Sequence, residues 1–201
     1  PGTVILSDSR TGLSAESNPI DVRTSRPALR PFWADFHGQS EETIGSNTIE
    51  QYFTFARDQA LVDIAGHQGN DFQVTDAFWR TINETTRAFY TPGRFVPFPG
   101  YEWSGNTPLG GDRNVYFESE GGGISHSCRD LLPGEVSDSI DSPTATELFA
   151  HLKAQTGPKA FAFAHVGGRY ADMHMHDPDV EVAVEIHSAW GTFEWLLHDA
   201  L

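Results

Sequence analysis

From residue 31 onward, the chain alternates short apolar runs with longer amphipathic segments. The apolar runs have the length of strands, and the amphipathic segments place apolar residues at the 3.6-residue spacing of a helix. Strands that alternate with helices are typical of βα units around a parallel sheet. The pattern therefore predicts an α/β fold that begins at residue 31.

Six apolar runs are predicted as strands, and these are 31–37, 61–67, 94–102, 113–119, 159–165 and 180–187. Helices are predicted after the first strand and over 72–90, 144–155 and 191–201. Asn47 with Glu50 and Thr144 with Glu147 have the spacing of capping boxes, which would start the first and third of these helices. The segment 120–142, with its three consecutive glycines, predicts a long loop.

Residues 1–30 have a different texture, rich in Ser, Thr, Asn, Pro and Arg and without a helical period. Such a composition favours turns and linkers over packed helices. We predict that residues 1–30 are the end of an upstream β-rich domain followed by a linker.

Charge and composition narrow the classes of function. With 13 Lys+Arg against 28 Asp+Glu, the formal net charge is −15, which opposes binding to the phosphates of nucleic acids. No apolar run reaches the roughly 20 residues of a membrane span, and the single cysteine, Cys128, excludes an intramolecular disulfide and a multi-cysteine zinc site. We expect a soluble protein, cytoplasmic or periplasmic, with neither a nucleic-acid nor a membrane partner.

Metal-capable side chains lie at or near the C-terminal ends of five of the six predicted strands. They are His37, His67, Glu102, His165, Glu185 and His187. In a parallel βα barrel these strand ends meet on one face, so we expect four or five of the side chains to surround one point. Imidazole and carboxylate together suit Zn, Mn or Fe. Taken singly, each histidine has the alternative role of a hydrogen-bonded structural residue.

Glu185 and His187 should point to one side of a strand, because side chains alternate with period two. Each is open to three roles: ligand, partner of a ligand, or structural residue. Asp35 is a candidate to orient the imidazole of His37 or His67. Arg169 and Arg113 are candidates to stabilise an anionic oxygen in a transition state, with a surface ion pair as the alternative for each. No GxGxxG, GxxxxGK[ST] or GxSxG motif is present to favour another chemistry.

Four segments contain the candidate ligands, and the first two are ADFHGQS (34–40) and LVDIAGHQGND (61–71). These two resemble the opening of domains of the PHP (polymerase and histidinol phosphatase) superfamily. PGYEWS (99–104) resembles the strand that carries their bridging glutamate, and FAHVGG (163–168) resembles the segment of a later histidine. By residue, the matches are His37, His67, Glu102 and His165.

Other wording resembles one branch of that superfamily. FHGQS, SNPI (17–20) and EIHSAWGTFEW (185–195) are similar to a large branch classed as a domain of unknown function. The resemblance covers roughly residues 17–195 and implies a distorted (β/α)7 TIM-like barrel. It also implies two or more divalent ions, Zn, Mn or Fe, and hydrolysis of a small anionic phosphate ester.

Three positions depart from the PHP pattern. Gln39 stands where a second histidine is usual, Gly66 replaces an aspartate, and Asp112 or Asn114 occupies the region of another histidine. These departures leave three alternatives open: a PHP-like binding or regulatory domain without turnover, a sulfate-ester hydrolase or a phosphonate hydrolase. Gln39 and Asp112 are therefore kept as candidate oxygen ligands.

The barrel is expected to be incomplete within this sequence. Barrels of this kind typically need about 250 residues, and no closing strand follows the six predicted ones. We predict that residues 31–201 are the N-terminal and central part of the barrel. The remainder of the same polypeptide would then supply a last strand ending in Asp-x-His.

Overall fold

A computed structural model of the chain describes residues 2–25, 27–132 and 140–201. The chain divides into two compact units, Pro1–Pro31 and Phe32–Leu201. In the first unit, β1 (Ile5–Ser7) pairs antiparallel with β2 (Ser14–Glu16). The division falls beside the predicted boundary, and the assignment of residues 1–30 to an upstream domain stays a prediction.

The second unit carries the remaining elements. In chain order they are β3 (Ala34–Gly38), α1 (Ile49–Asp58), β4 (Ile64–His67), α2 (Asp76–Phe89), β5 (Val96–Phe98), β6 (Gly100–Ser104), β7 (Asp112–Phe117), β8 (Ser125–His126), β9 (Ile140–Asp141), α3 (Ala145–Ala154), β10 (Ala160–Ala164), β11 (Glu181–Val184), β12 (His187–Ser188), β13 (Gly191–Thr192) and α4 (Glu194–Ala200). Every predicted strand overlaps an observed one, and the predicted run 94–102 overlaps two, β5 and β6. The predicted loop 120–142 contains β8 and β9, and its residues 133–139 lie outside the described part of the chain.

Helix starts follow the capping chemistry of the sequence. Thr144 and Glu147 form the predicted capping box of α3. The box of α1 lies one residue later than predicted, because the Thr48 hydroxyl accepts the Gln51 N–H while the Gln51 side chain accepts the Thr48 N–H. The Asn47 and Glu50 assignment is therefore wrong, although the helix itself is where the periodicity predicts it.

The strands form two principal sheets of different type. One is the parallel sheet β3-β4-β5, and the other has the order β11-β10-β7-β6. In the second sheet β10 and β11 are parallel, but β7 is antiparallel to both β6 and β10. Residues 105–111 between β6 and β7 are fewer than the dozen or so that a parallel crossover needs. The expectation of a uniformly parallel sheet is therefore wrong at β7.

The two principal sheets are joined beside the candidate site. A parallel bridge pairs Asn70 with Glu102, and the Glu102 N–H donates to Gly69 O over 2.9 Å. The α/β class is confirmed, and among residues 2–25, 27–132 and 140–201 no sheet closes into a barrel. The (β/α)7 TIM-like barrel stays a prediction.

Each face of the second sheet has its own packing. Along β10 alanines and phenylalanines alternate, so the two residue types face opposite sides of the sheet. The alanines are buried and the phenylalanines are half-buried. On the alanine face, Ala160 and Ala162 join the main hydrophobic core with residues from the helices, whereas Ala164 belongs to a second, smaller cluster. The opposite face is a cluster of aromatic rings, and they belong to Phe36, Phe98, Tyr116, Phe161 and Phe163.

No helix in the described part of the chain combines the length and apolar character needed to cross a membrane.

Candidate metal centre

Three predicted ligands converge, one near the end of β3, one in the middle of β6 and one directly after β10. One donor atom each from His37, Glu102 and His165 lies within 4.8 Å of the other two. His37 Nε2 is 3.5 Å from Glu102 Oε2, and the rings of His37 and His165 have their centroids 4.4 Å apart. Glu102 and His165 are buried, while His37 is half-buried. We call these three residues the His/Glu/His group.

Glu185, which follows β11, closes the group from the other side. Its Oε2 lies 2.9 Å from His37 Nδ1 and 3.2 Å from His165 Nδ1. Asn114 Nδ2 donates to the same oxygen over 2.5 Å. A ligand imidazole commonly donates its second ring N–H to a carboxylate, which fixes the ring. Glu185 occupies that position beside His37, whose Nε2 faces Glu102.

Electrostatics favour a cation at this point. Burial opposes a charged imidazole, but hydrogen bonds to Glu102 and Glu185 raise the pKa of His37 to about 10. Burial likewise opposes a charged Glu185, yet the imidazoles of His165 and His37 lower its pKa to about 2. Burial, and then the charge of Glu102, raise the pKa of Asp112 to about 7. Three carboxylates, those of Glu102, Glu185 and Asp112, thus lie around the imidazoles, and they would balance the charge of a divalent ion that replaced the His37 proton.

The donor atoms also fit a metal. His165 Nδ1 is buried and has no hydrogen-bond partner within the described ranges, because its contact with Glu185 lacks hydrogen-bond geometry. Nitrogen and oxygen donors of this kind suit Zn, Mn or Fe. Gly167 lets the chain turn closely past the group, since a Cβ there would lie 2.8 Å from His165 Nε2 and 2.9 Å from Asp112 Oδ2.

Asp112 and Arg169 form the charged wall beside the group. Arg169 Nη1 lies 3.2 Å from Asp112 Oδ1, and the Arg169 backbone N–H donates to Asp112 Oδ2 over 3.1 Å. The guanidinium carbon is 5.5 Å from the centroid of the Phe72 ring. Asp112 and Arg169 line, with the His/Glu/His group, a pocket of about 460 Å³. Arg169 therefore faces the site as expected.

His67 is not brought into the group. Its Nε2 lies 2.9 Å from Ser40 Oγ, and its Nδ1 accepts the Gly69 N–H over 3.3 Å. Burial, reinforced by the charge of His37, lowers the pKa of His67 to about 3. A neutral ring with both nitrogens bonded connects β4 to the turn after β3, which is the structural alternative for a strand-end histidine.

His187 and Gln39 also have protein partners. His187 is exposed, and its Nδ1 lies 2.9 Å from Thr192 Oγ1 across the β12–β13 pair. Because β11 ends at Val184 and β12 pairs elsewhere, the period-two relation does not carry from Glu185 to His187. Gln39 lines the pocket, but its amide donates to Gln68 O over 2.6 Å and accepts from Thr43.

Arg113 does not reach the site. Its Nε lies 2.5 Å from Glu181 Oε1, and its Nη1 donates to Gly110 O over 2.6 Å, with the whole side chain buried. Alternation along β7 explains this, since Asp112 and Asn114 face the site and the residue between them must face away. The catalytic assignment of Arg113 is therefore wrong, and its ion pair is buried instead of lying at the surface.

Asp35 does not orient an imidazole. It is exposed, and its Oδ1 accepts the backbone N–H of His37 over 3.1 Å. The ring of His37 contacts Glu185, Glu102 and Asn114 instead. The predicted orienting role of Asp35 is wrong because its carboxylate contacts the backbone of β3.

Some site residues were missed or only loosely placed from the sequence. Asn114 contacts both His37 and Glu185, and its position two residues after Asp112 on one strand was a usable signal. Ile44, Phe72 and Trp190 also line the pocket. They come from separate turns, and no spacing in the sequence connects them.

Comparisons with known proteins find a matching family model and several relatives of the chain. Residues 12–178 match the family model described as "Protein of unknown function (DUF3604)". An uncharacterised protein of Chlamydia pneumoniae is 25% identical over 164 residues, covering 81% of this chain and 25% of the relative. An uncharacterised protein of Chlamydia trachomatis is 27% identical over 166 residues, with the same shares. The chain thus spans about a quarter of the length of the curated relatives it matches. The expected domain of unknown function is confirmed.

Proposed function

Because the chain belongs to the DUF3604 family, whose description gives no activity, we infer function from the site itself and propose a metal-dependent hydrolase of phosphate esters. The observation that carries the proposal is the His/Glu/His group, with donor atoms within 4.8 Å of one another at the floor of a pocket. The resemblance to PHP proteins supports it.

His37, Glu102 and His165 would hold the first ion, which we propose to be Zn, Mn or Fe. Glu185 and Asp112 add carboxylate oxygens at the edge of the group, so the complete protein is proposed to hold two or more ions. A bound ion of this kind supplies a nucleophile by lowering the pKa of water, toward about 7 in favourable zinc sites.

The protein side chains bind and orient the substrate. Arg169 presents its guanidinium to the pocket and can bind an anionic oxygen of the ester through charge-assisted hydrogen bonds. Asp112 keeps that guanidinium in place through the contact with Nη1 and also accepts the Arg169 backbone N–H. Glu185 holds the His37 ring in a fixed orientation through Nδ1, and Asn114 fixes Glu185 by donating to the same carboxylate. The substrate is thus proposed to be small and anionic.

A rival function rests on a specific observation. Gln39 has both ends of its amide bonded to protein, and His67 lies outside the group. Gly66 adds no carboxylate, and a Cβ there would approach the Tyr116 ring at 2.8 Å. The site therefore has fewer ligands than the PHP pattern. The second candidate function is a metal-holding regulatory domain without turnover. Sulfate esters and phosphonates are alternative substrates for the same anion-binding wall.

Metal analysis combined with a screen of chromogenic phosphate, phosphonate and sulfate esters separates these functions. We expect bound metal and turnover of at least one ester, both abolished in His165→Ala. His187→Ala is the matched control, because this exposed histidine lies outside the group. Metal without any turnover would favour the regulatory domain, and absence of metal from the wild type would refute both.

We further propose that the rest of the same polypeptide completes the barrel. In the described part of the chain, β3 and β11 each have one strand neighbour, yet the side chains of His37 and Glu185 at their ends touch. A gap of about 520 Å³ is lined by both strands. A longer polypeptide should bind metal more tightly than residues 1–201; equal affinity would contradict this proposal.

A further inference from the structure

Three large apolar side chains line the pocket that holds the His/Glu/His group. Ile44, Phe72 and Trp190 all line it, and they come from three separate segments of the chain. Ile44 and Trp190 are each 68% exposed. Ligand pockets typically combine a largely apolar lining with a few polar groups that fix orientation. We call these three residues the apolar wall.

Trp190 is held at the pocket by a tight turn. Ser188 pairs with Gly191 in the β12–β13 pair, and the Trp190 N–H donates to Ser188 Oγ over 3.2 Å. Gly191 has φ of +135°, which side-chain-bearing residues rarely adopt. The indole is therefore carried by a constrained backbone and is not on a long free loop. Leaving so large an apolar side chain exposed at a pocket is typical of a surface that a ligand covers.

A charged side chain and an aromatic ring lie next to each other in the pocket. The Arg169 guanidinium carbon is 5.5 Å from the centroid of the Phe72 ring, and Asp112 contacts the same guanidinium. An anionic head bound at Arg169 and the His/Glu/His group thus has its remaining atoms next to Phe72. The volume of about 460 Å³ falls in the range of small-molecule sites.

Two amide side chains that line the pocket are partly engaged by the protein. Gln39 Nε2 donates to Gln68 O, and Asn70 Nδ2 donates to Ser104 Oγ. One N–H of each amide is thus used within the protein, which leaves fewer donors for substrate hydroxyls. A flat ring, in contrast, stacks or makes edge contacts with Phe72 and Trp190.

We propose that the substrate is an ester of an aromatic alcohol, with its anionic head at Arg169 and the His/Glu/His group and its ring against the apolar wall. The identity of the anionic head rests on the proposed function. The preference for an aromatic ring rests on Ile44, Phe72 and Trp190 alone.

Two phosphonates without an ester bond test the ring site independently of turnover. Calorimetric titration compares phenylphosphonate with methylphosphonate, on Mn²⁺-loaded and on metal-free protein. We expect phenylphosphonate to bind on the order of tenfold more tightly, because its ring buries apolar area. Trp190→Ala should lower this ratio severalfold. Ile44→Ser should also lower it, and this variant provides the test if Trp190→Ala folds poorly. Trp33→Ala is the control, since Trp33 is 75% exposed and is absent from the pocket lining.

The outcomes separate the two proposals. A phenyl-to-methyl ratio near one, no binding of either phosphonate, or a ratio unchanged in Trp190→Ala and Ile44→Ser overturns the aromatic site. A ratio well above one in the wild type that falls in these variants supports the aromatic site, even where no ester is hydrolysed. Failure of the protein to bind metal or to hydrolyse any ester counts against the hydrolase and leaves the ratio as its own test.

Discussion

His37 and His67 stand at the ends of the neighbouring parallel strands β3 and β4, yet their environments are opposite. Burial lowers the pKa of both, but Glu102 and Glu185 reverse the effect at His37 and raise its pKa to about 10. At His67 nothing reverses it, and burial with the charge of His37 lowers the pKa to about 3. The partners of the two rings explain the difference in pKa. The ring of His37 contacts two carboxylates, whereas the ring of His67 contacts the Ser40 hydroxyl and the Gly69 N–H.

The comparison separates a candidate ligand from a structural histidine without reference to strand position. A site that stabilises positive charge on an imidazole also stabilises a cation in its place, since the carboxylates act on either charge. A buried neutral ring with both nitrogens bonded would have to lose those bonds to hold an ion. The ends of β3 and β4 therefore differ in chemistry although they match in topology.

The largest expected effect is loss of metal from His37→Ala and His165→Ala. Each substitution removes a donor of the His/Glu/His group, and activity should disappear with the ion. The fold should be largely retained, because strand-end ligands add little to core packing. Metal content and circular dichroism are the measurements. Full metal stoichiometry in both variants would show that the group is not the metal site.

Metal affinity should rise steeply with pH. In the metal-free protein His37 keeps its proton up to a pKa of about 10, and an ion must displace that proton to use the nitrogen. Apparent affinity should therefore increase by about tenfold per pH unit between neutral pH and pH 10. Mn²⁺ titrations across this range, with the proton release measured in two buffers, provide the check. A flat profile would contradict the imidazolium at His37.

His67→Ala should reduce stability while leaving metal binding in place. The substitution removes a buried ring that packs on Phe78 and deprives Ser40 of a partner. A loss of about 2–4 kcal/mol in the free energy of unfolding is expected. Urea denaturation measures it, and His187→Ala is the matched control with an expected change within about 0.5 kcal/mol. A folded His67→Ala protein that no longer binds metal would instead make His67 a ligand.

Much of the fold and part of the site were accessible from the sequence. Hydrophobic periodicity located the strands of the two principal sheets, with β5 and β6 predicted as one, and the helices α1, α2 and α3. The spacing of Thr144 and Glu147 predicted the capping box of α3. Apolar runs that end in His37, Glu102 and His165 indicated which residues converge. The pattern is local, however, and it carries no strand direction: β7 runs antiparallel because its connection from β6 is short.

The remaining errors share one physical cause, which is that a side chain's partner depends on tertiary packing. Arg113 looked like a site residue from its neighbours in sequence, yet alternation on β7 places it beside Glu181. The period-two relation between Glu185 and His187 is lost because β11 ends at Val184, before both residues. Trp190 reaches the pocket through a turn whose geometry depends on Gly191. Alternation indicates that Arg113 faces away from Asp112, but linear spacing does not identify the partner of any of these side chains.

The smallest expected effect compares two carboxylates that both contact His37. Glu185 contacts the Nδ1 of the ring, whereas Asp35 accepts only the backbone N–H. Glu185→Gln should therefore lower the pKa of His37 in the metal-free protein by about one unit or more, because an amide replaces a charge that favours the imidazolium. Asp35→Asn should leave that pKa unchanged. Titration of the His37 ring protons by NMR measures both. A larger shift in Asp35→Asn than in Glu185→Gln would return the orienting role to Asp35 and would remove the carboxylate that distinguishes the end of β3 from the end of β4.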